Sequence, residues 1–319
     1  MTQDSGLVKR IGAIGPGAMG CLLGGLLALD GHEVWLFCRQ SEDAALLEAQ
    51  GIVIEQGDNT LEAHVRATAS AGDAAPLDML LVMVKSFATA RAIATAAPAL
   101  GPDSLVLTLQ NGLGNAELIA EAIGASRVLA GVTSQGATLL GPGRVRHAGS
   151  GPTTLADLSG GATERAHSVA GLLTRAGIAA SVAADHAPLV WGKLVVSSAL
   201  NALTALTGRL NGEILEESNC LALAEDLVRE TARVAVAAGI ALPFEDPAAE
   251  LRVIALATRP NRSSMLQDFE YHRPTEVGAI NEAITAVARK HGVEAPRNET
   301  VARLVRERES RYRRVERGP

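Results

Sequence analysis

The chain has 319 residues, of which 47% are hydrophobic and 20% are charged, and its net charge is −6 at pH 7. This length and hydrophobic content are typical of a two-domain globular protein and exclude an intrinsically disordered chain. The acidic balance gives no support for nucleic-acid binding. The Arg-rich end, RLVRERESRYRRVERGP, also contains Glu and is predicted to form a solvated helix face or a frayed tail.

The three cysteines, Cys21, Cys38 and Cys220, are far apart and match no metal-ligand spacing. They indicate free thiols in a reducing compartment, and we predict no metal site. The first residues, MTQDSGLVKRIGAIG, lack the hydrophobic region of a signal peptide. The apolar run CLLGGLLAL is too short to span a bilayer. We therefore expect a cytoplasmic protein without a membrane segment.

Apolar segments of two kinds alternate in the first half of the chain. Strands are predicted at VKRIGAIG, EVWLFCR, LDMLLVMVK, SLVLTLQ and RVLAGVTS, and helices at AMGCLLGGLLALDG, FATARAIATAAPAL and NAELIAEAIG. Strands that are apolar almost throughout and alternate with helices are typical of a parallel sheet covered on both faces. This half therefore predicts an α/β fold with a Rossmann-type, doubly wound parallel sheet.

The pattern changes twice further along the chain. From residue 131 to residue 182, Gly-rich segments predict antiparallel hairpins with one helix, at ERAHSVAGLLTRAG. From His186 onward the segments have helical periodicity: WGKLVVSSALNALTALTG, LAEDLVRETARVAVAAG, PAAELRVIALATR and TEVGAINEAITAVARKHG. We predict a Rossmann-type domain at residues 1–185 and an all-α domain at residues 186–319.

A G-x-G-x-x-G motif, formed by Gly15, Gly17 and Gly20, follows the first predicted strand and opens an apolar helix. In that position the motif predicts a dinucleotide site. Its first glycine permits a tight turn, its second lets the pyrophosphate approach the backbone, and its third lets the helix pack closely on the sheet. The helix begins with Ala18 and Met19, whose N–H groups are predicted to face the phosphates.

The second predicted strand ends at Arg39. An acidic residue at this place binds the ribose 2′-hydroxyl of NAD, whereas an arginine suits the 2′-phosphate of NADP. Arg39 therefore predicts NADPH/NADP+ as the cofactor. An ordinary surface arginine is the alternative interpretation.

Two further polar residues follow predicted strands, namely Lys85 in LLVMVKS and Asn111 in LTLQNGLGN. Ligands of open α/β sheets bind outside the carboxyl ends of the strands, so both residues are predicted to face the nicotinamide half of the cofactor. The alternatives are solvation of a strand end for Lys85 and turn chemistry for Asn111, which precedes a glycine.

The stretch from Trp191 to Gly208 is typical of a buried helix, yet it contains Lys193, Ser197 and Asn201. Their i, i+4, i+8 spacing places them on one face. A lysine that cannot reach water must be paired, deprotonated or functional. A lysine that extends to solvent near the start of a helix is the alternative.

With these motifs in order, the chain resembles the ketopantoate reductase (2-dehydropantoate 2-reductase) family over nearly its whole length. The matching stretches are GAIGPGAMG, VMVKS, LQNGLGN, GATLLGPGRVRHAGSG, WGKLVVSSALNALTALTG and NRSSMLQDFEYHRPTEVGAIN. The resemblance implies a Rossmann domain followed by a helical domain. It also implies NADPH-dependent reduction of ketopantoate to (R)-pantoate, on the route to pantothenate and coenzyme A.

The resemblance also implies roles for individual residues. The catalytic lysine of the family falls on Lys193 and its acidic partner on Glu276. The substrate-binding positions of the family fall on Asn111, Asn201, Asn261 and Ser264. Lys193 would then stabilise the developing negative charge and donate a proton to the carbonyl oxygen. Burial should lower the pKa of this lysine toward neutrality, and Glu276 should act in the opposite direction.

One position departs from the family, which commonly has Asn where this chain has Ser197. A hydroxyl is shorter than an amide and has one donor instead of two. Ser197 is still predicted to contact the substrate. The departure leaves a reductase of another 2-oxo acid as an alternative, and a non-catalytic NADP-binding regulator as a weaker one. A homodimer through the C-terminal helices is left open.

Overall fold

The computed structural model describes residues 8–315. Residues 1–7, the beginning of the stretch that lacks a predicted signal peptide, lie outside the described residues, as do residues 316–319 at the end of the Arg-rich stretch. The side chains of residues 312–315 are also outside them. The chain divides into two compact units. Unit 1 comprises Met1–Gln110 and Gly114–His186, and unit 2 comprises Asn111–Leu113 and Ala187–Pro319.

Unit 1 contains the strands of the structure. They are β1 (Arg10–Ile14), β2 (Glu33–Phe37), β3 (Ile52–Gln56), β4 (Asn59–Ala63), β5 (Arg66–Thr68), β6 (Leu77–Val82), β7 (Leu100–Thr108), β8 (Val128–Thr133), β9 (Gly136–Gly141), β10 (Arg144–Gly149), β11 (Thr153–Asp157) and β12 (Ala180–Ala183).

The α-helices follow the same chain order. They are α1 (Ala18–Leu29), α2 (Ser41–Gln50), α3 (Thr89–Ala96), α4 (Asn115–Ile123), α5 (Glu164–Arg175), α6 (His186–Thr207), α7 (Ser218–Ala237), α8 (Pro247–Ala257), α9 (Ser264–Glu270), α10 (Ala283–Lys290) and α11 (Pro296–Val315). Within the described residues, everything after α6 begins is helical or irregular, as the sequence predicts.

The large sheet has the strand order β12-β11-β8-β7-β6-β1-β2-β5. Strands β1, β2, β6, β7 and β8 are parallel to their neighbours in this set. Side chains that alternate along β1 enter two different cores: Ile11 packs with residues of α1 and α5, and Ile14 packs with residues of α3 and α4. Helices therefore cover both faces, and the doubly wound α/β domain is confirmed.

The sheet departs from the prediction in two respects. Strand β11 runs antiparallel to β8, so the sheet is not wholly parallel. The predicted hairpin β9–β10 does not extend this sheet but belongs to a second, four-stranded one with the order β4-β3-β10-β9. Strands β3 and β4 were not predicted, although their apolar residues alternate with polar ones and the two-residue turn Gly57–Asp58 joins them.

Helix α6 lies in the core of unit 2, where residues such as Val195, Ala199 and Ala202 are fully buried. By length and composition it could cross a membrane, with a mean hydropathy of 1.4 over the most apolar window. However, 67% of that window is buried within the protein. The helix therefore contributes the central hydrophobic surface of unit 2, on which α7 and the later helices complete the core.

Candidate active site

The glycine turn after β1 has three different spatial requirements. Gly15 has a positive φ of 95°, and a Cβ there would lie 2.8 Å from the backbone nitrogen of Val84. A Cβ on Gly20 would lie 2.2 Å from the carbonyl oxygen of Gly15. Gly17, by contrast, has nothing within 4 Å of its added Cβ. The first and third glycines are thus required by the fold, while the second borders open space.

Helix α1 begins directly beside that open space. Gly17 is its N-cap, and Ala18 and Met19 are its first residues. Among the described residues no side chain caps this terminus, and the first turn contains no acidic residue. Its unpaired N–H groups and the partial positive charge of the helix terminus suit a phosphate. The residues present therefore fit the pyrophosphate of a dinucleotide.

The contrast between two of these glycines gives a prediction. Gly17→Ala should weaken NADPH binding at least about tenfold without lowering the melting temperature, because the methyl group meets only the space that the pyrophosphate needs. Gly20→Ala should lower the melting temperature as well, because its methyl group clashes with backbone. Cofactor titration and thermal unfolding of both variants test this. Unchanged NADPH affinity in Gly17→Ala would contradict the cofactor assignment.

Arg39 and Lys85 lie at the same edge of the sheet as the glycine turn. Ile14, Phe37 and Val82 are paired at the ends of β1, β2 and β6, so the segments that follow these strands emerge together. Arg39 is exposed and makes no ion pair with another described residue. Lys85 is partly buried and precedes a short 3-10 turn at Ser86–Ala88. Their contacts with the cofactor stay predictions.

Asn111 follows β7 but packs with unit 2 rather than with the sheet. Its Nδ2 donates a hydrogen bond to Oε2 of Glu276 at 3.4 Å. The N–H of Leu113 donates to the carbonyl of Ala279 at 2.9 Å. Gly112, with a φ of 85°, lies so close to Ala279 that a Cβ would be 2.4 Å from its carbonyl oxygen. The turn after β7 therefore holds the Asn111 amide against the carboxylate of Glu276.

Lys193 lies on α6 within the electrostatic reach of Glu276. Burial lowers the pKa of Lys193 to about 8, and the negative charge of Glu276 acts in the opposite direction. Glu276 is itself buried. The expected directions of both effects on this pKa are confirmed. A lysine with a pKa near 8 is protonated below this pH and can release its proton at little cost, which suits a general acid.

The polar stripe on α6 is also present in the structure. Lys193, Ser197 and Asn201 are partly exposed, whereas residues 194–196 and 198–200 are buried. The hydroxyl of Ser197 donates to the carbonyl of Lys193 at 2.8 Å, one turn earlier. Its single proton is therefore occupied by the helix backbone, and its oxygen has lone pairs left to accept a hydrogen bond.

The remaining predicted substrate residues, Asn261 and Ser264, lie around the start of α9 and are partly exposed. Ser263 rather than Ser264 caps this helix, accepting from the N–H of Leu266 at 3.0 Å. Thr204 of α6 donates to the same Ser263 hydroxyl at 2.7 Å. The start of α9 is thus attached to α6, and the substrate contacts of Asn261 and Ser264 stay predictions.

The sequence did not indicate the residues that anchor the segment containing Glu276. The N–H of Thr275 donates to Oε1 of Glu309 at 2.7 Å, and both residues are buried. Arg306 donates to the other oxygen of Glu309 at 3.0 Å. Glu309 lies in the Arg-rich end, for which the sequence predicts a solvated helix face or a frayed tail. The apolar residues Val301, Ala302 and Val305 of α11 are buried and were the available signal that one face of it is internal.

Comparisons with known proteins show the family of the chain. The family model for ketopantoate reductase PanE/ApbA matches residues 11–160, and the model for its C-terminal domain matches residues 185–309. The chain belongs to this family. The resemblance predicted from the motifs is therefore confirmed. Ketopantoate reductases are NAD(P)-dependent, and the chain is an oxidoreductase that acts on a CH–OH group.

Individual ketopantoate reductases are similar to this chain over nearly their whole length. The 2-dehydropantoate 2-reductase of Halobacterium salinarum is 38% identical over 301 residues, which cover 93% of this chain and 98% of that protein. The crystal structure of a PanE/ApbA family ketopantoate reductase from Ralstonia eutropha has a TM-score of 0.87 and 30% identity, covering 96% of this chain and 100% of that one. D-mandelate dehydrogenase with NADH and anilino(oxo)acetate has a TM-score of 0.88 and 26% identity, covering 94% and 99%.

Proposed function

We propose that this protein reduces 2-dehydropantoate to (R)-pantoate with NADPH, in the cytoplasmic route to pantothenate and coenzyme A. The observation that carries the proposal is a lysine with a pKa of about 8, partly exposed on α6 and acted on by the buried Glu276. Although part of Lys193 is exposed, most of it is enclosed, and a charged lysine in such a place requires a partner or a role. Family membership and the names of the relatives support the substrate.

The proposed chemistry assigns the proton to Lys193. A bound nicotinamide supplies the hydride that reduces the 2-oxo carbon. Lys193 stabilises the negative charge that develops on the carbonyl oxygen and donates its Nζ proton to that oxygen. Because its pKa is about 8, the lysine is protonated in the resting enzyme near pH 7 and becomes neutral at low cost when the hydroxyl forms.

Glu276 and Asn111 support the protonated state of Lys193 in this proposal. The carboxylate favours the ammonium form, which offsets the effect of burial. The Asn111 amide donates to Oε2 of Glu276 and so restricts the orientation of the carboxylate. Glu276 then also accepts a hydrogen bond from the hydroxyl of the product.

The other polar residues are proposed to bind the substrate. Asn201, Asn261 and Ser264 would donate to its carboxylate or contact its 4-hydroxyl. Because the Ser197 proton is used by the Lys193 carbonyl, Ser197 contributes an acceptor for a substrate hydroxyl rather than a donor for the carboxylate. We propose that this difference from Asn changes how the hydroxyl end of the substrate is held.

Reduction of a different 2-oxo acid is the second candidate function. It is favoured by Ser197, which leaves more room than the Asn that the family commonly has at this position. It is also favoured by the similarity to D-mandelate dehydrogenase, whose 2-hydroxy acid has a phenyl ring. The same roles of Lys193 and Glu276 apply to both candidates, because both substrates develop charge on a 2-oxo oxygen.

The deciding experiment is NADPH oxidation followed by absorbance with ketopantoate and with a panel of aliphatic and phenyl-substituted 2-oxo acids. We expect the highest kcat/KM with ketopantoate. Turnover with a phenyl-substituted acid alone would favour the second candidate. Binding of NADPH without turnover of any 2-oxo acid would favour a non-catalytic NADP-binding regulator and contradict both candidates.

The preference for NADPH is proposed to depend on Arg39. Arg39→Asp should weaken NADPH binding about tenfold or more, because it replaces the partner of the 2′-phosphate by a repelling charge. NADH affinity should change much less. Fluorescence titration with both cofactors measures this, and Arg233→Asp, at an exposed position of α7, is the matched control for the change of charge. Equal losses of both affinities would contradict the role of Arg39.

A further inference from the structure

The segment that contains Glu276 leads into a π-helical turn at Gly278–Glu282. The N–H of Glu282 donates to the carbonyl of Val277 at 3.0 Å, which is the i→i+5 pattern of a π-helix. Such turns are rare in proteins, and those that do occur are often found at functional sites. Asn281 lies inside this turn and is fully buried. A fully buried amide at this position requires hydrogen-bond partners.

Asn281 connects the helix that contains the proposed acid to the turn that follows Glu276. Its Nδ2 donates to the carbonyl of Ser198 on α6 at 2.9 Å and to Oδ1 of Asn298 on α11 at 2.9 Å. Ser198 lies on the same helix as Lys193, less than two turns further along. A single amide therefore joins the helix of Lys193 to the turn that follows Glu276.

A buried carboxylate fixes the direction of these hydrogen bonds. Glu230, which is fully buried on α7, accepts from the N–H and the Nδ2 of Asn298 at 2.8 and 2.9 Å. The Asn298 amide must therefore point its oxygen at Asn281. Asn281 in turn must point its Nδ2 at both acceptors, since its oxygen could not bond to either. The orientation of Asn281 is thus determined by the surrounding helices.

The oxygen of the Asn281 amide is left without a partner among the described residues. A buried acceptor without a hydrogen bond destabilises a fold, and an apolar side chain of similar volume would avoid that cost. Packing alone therefore does not account for asparagine at this position. The two bonds made by its Nδ2 do account for it, since one holds the turn to α6 and the other holds it to α11.

We propose that Asn281 is a positioning residue that fixes the separation between the Glu276 carboxylate and the Lys193 ammonium group. The inference rests on the proposed function, because Asn281 acts only through that pair. The attraction between two charges falls with distance, so a looser turn weakens the support that Glu276 gives to the protonated lysine. The bonds from Thr275 to Glu309 and from Leu113 to Ala279 remain when the amide is removed, and they keep the segment attached.

The test compares Asn281→Leu with Thr231→Val, both in the intact protein. Thr231 is fully buried and bonds to the Ser198 hydroxyl at 3.0 Å and to Asn298 Nδ2 at 3.2 Å. Its loss disturbs the same group of buried residues without removing the bond to the π-helical turn. The chain contains only four lysines, Lys9, Lys85, Lys193 and Lys290. Their ¹³Cε signals can therefore be titrated by NMR, with Lys193→Ala identifying the signal of Lys193.

We expect Asn281→Leu to lower kcat about tenfold while KM changes less than about threefold. The measured pKa of Lys193 should fall by about half a unit, because the carboxylate then stabilises the ammonium less. Thr231→Val should lose thermal stability but keep the kcat and the Lys193 pKa of the wild type. Asn281→Ser, which keeps one donor, is measured in the same way if the leucine variant does not fold.

The inference is overturned if the Asn281 variants lose stability but keep the wild-type kcat and the wild-type Lys193 pKa, as expected of Thr231→Val. Failure of the proposed function gives a different result, namely near-normal turnover by Lys193→Ala. An inactive Lys193→Ala together with wild-type behaviour of Asn281→Leu would reject the positioning role alone.

Discussion

Lys193→Ala is expected to lower kcat by at least about a hundredfold with the preferred 2-oxo acid, since general acid catalysis typically contributes 10² to 10⁴ in rate. The variant loses both the cation beside the carbonyl oxygen and the proton that this oxygen takes up. NADPH affinity should stay within about threefold of the wild type, because the glycine turn and Arg39, which are predicted to bind the phosphates, lie in unit 1 and Lys193 lies in unit 2. Steady-state kinetics and cofactor titration measure the two effects.

Two further variants distinguish the loss of the proton that Lys193 donates from the loss of its positive charge. Lys193→Arg keeps a cation but should recover little activity, because a guanidinium does not release its proton near neutral pH. Lys193→Met should not lower the melting temperature near pH 7, since burial disfavours the charged lysine that it replaces. Lys290→Ala, at an exposed position, is the control for the loss of a lysine. Near-normal turnover by Lys193→Ala would rule out the proposed acid.

Glu276→Gln is expected to move the alkaline limb of the pH–rate profile to lower pH by about one unit. The wild-type rate should fall above about pH 8, where Lys193 loses its proton. Glu276 raises the pKa of Lys193, so removing its charge lowers this pKa. The active, protonated form is then lost at a lower pH. The rate at pH 8 should therefore fall more, relative to the wild type, than the rate at pH 6.5.

The profile of kcat/KM against pH measures this shift, and titration of the Lys193 ¹³Cε signal assigns it to the lysine. Glu294→Gln, at an exposed position of unit 2, is the matched control and should leave the profile unchanged. A Glu276→Gln profile that superimposes on that of the wild type would mean that this carboxylate does not act on Lys193.

The predicted elements of the N-terminal domain depended on local signals. The runs that form β1, β6 and β8 are apolar almost throughout, and a strand of this kind can be stable only inside a covered sheet. The glycine motif could be interpreted without coordinates because its place between a strand and an apolar helix defines the role of each glycine. The steric environments of Gly15, Gly17 and Gly20 agree with these roles one by one.

The second sheet could not be predicted in the same way. Its strand β10 pairs with β3, from a distant part of the chain, through contacts such as Val145 with Ile54. The sequence also does not show that β11 pairs antiparallel with β8, because other strands have a similar pattern of apolar residues. Periodicity indicates which face of a strand is buried, but it does not indicate which strand lies beside it.

In the candidate site, too, some features follow from the sequence and others depend on the tertiary structure. The sequence by itself determined the fold class, the place of the dinucleotide turn and the polar stripe of Lys193, Ser197 and Asn201, because these features depend on neighbours along the chain. Glu276 was found only through the family resemblance. Only the tertiary structure decided that Asn111 bonds to Glu276 and that Asn281 joins the π-helical turn to α6. Hydrogen bonds and charges act through space, and which groups meet is decided when distant segments pack against one another.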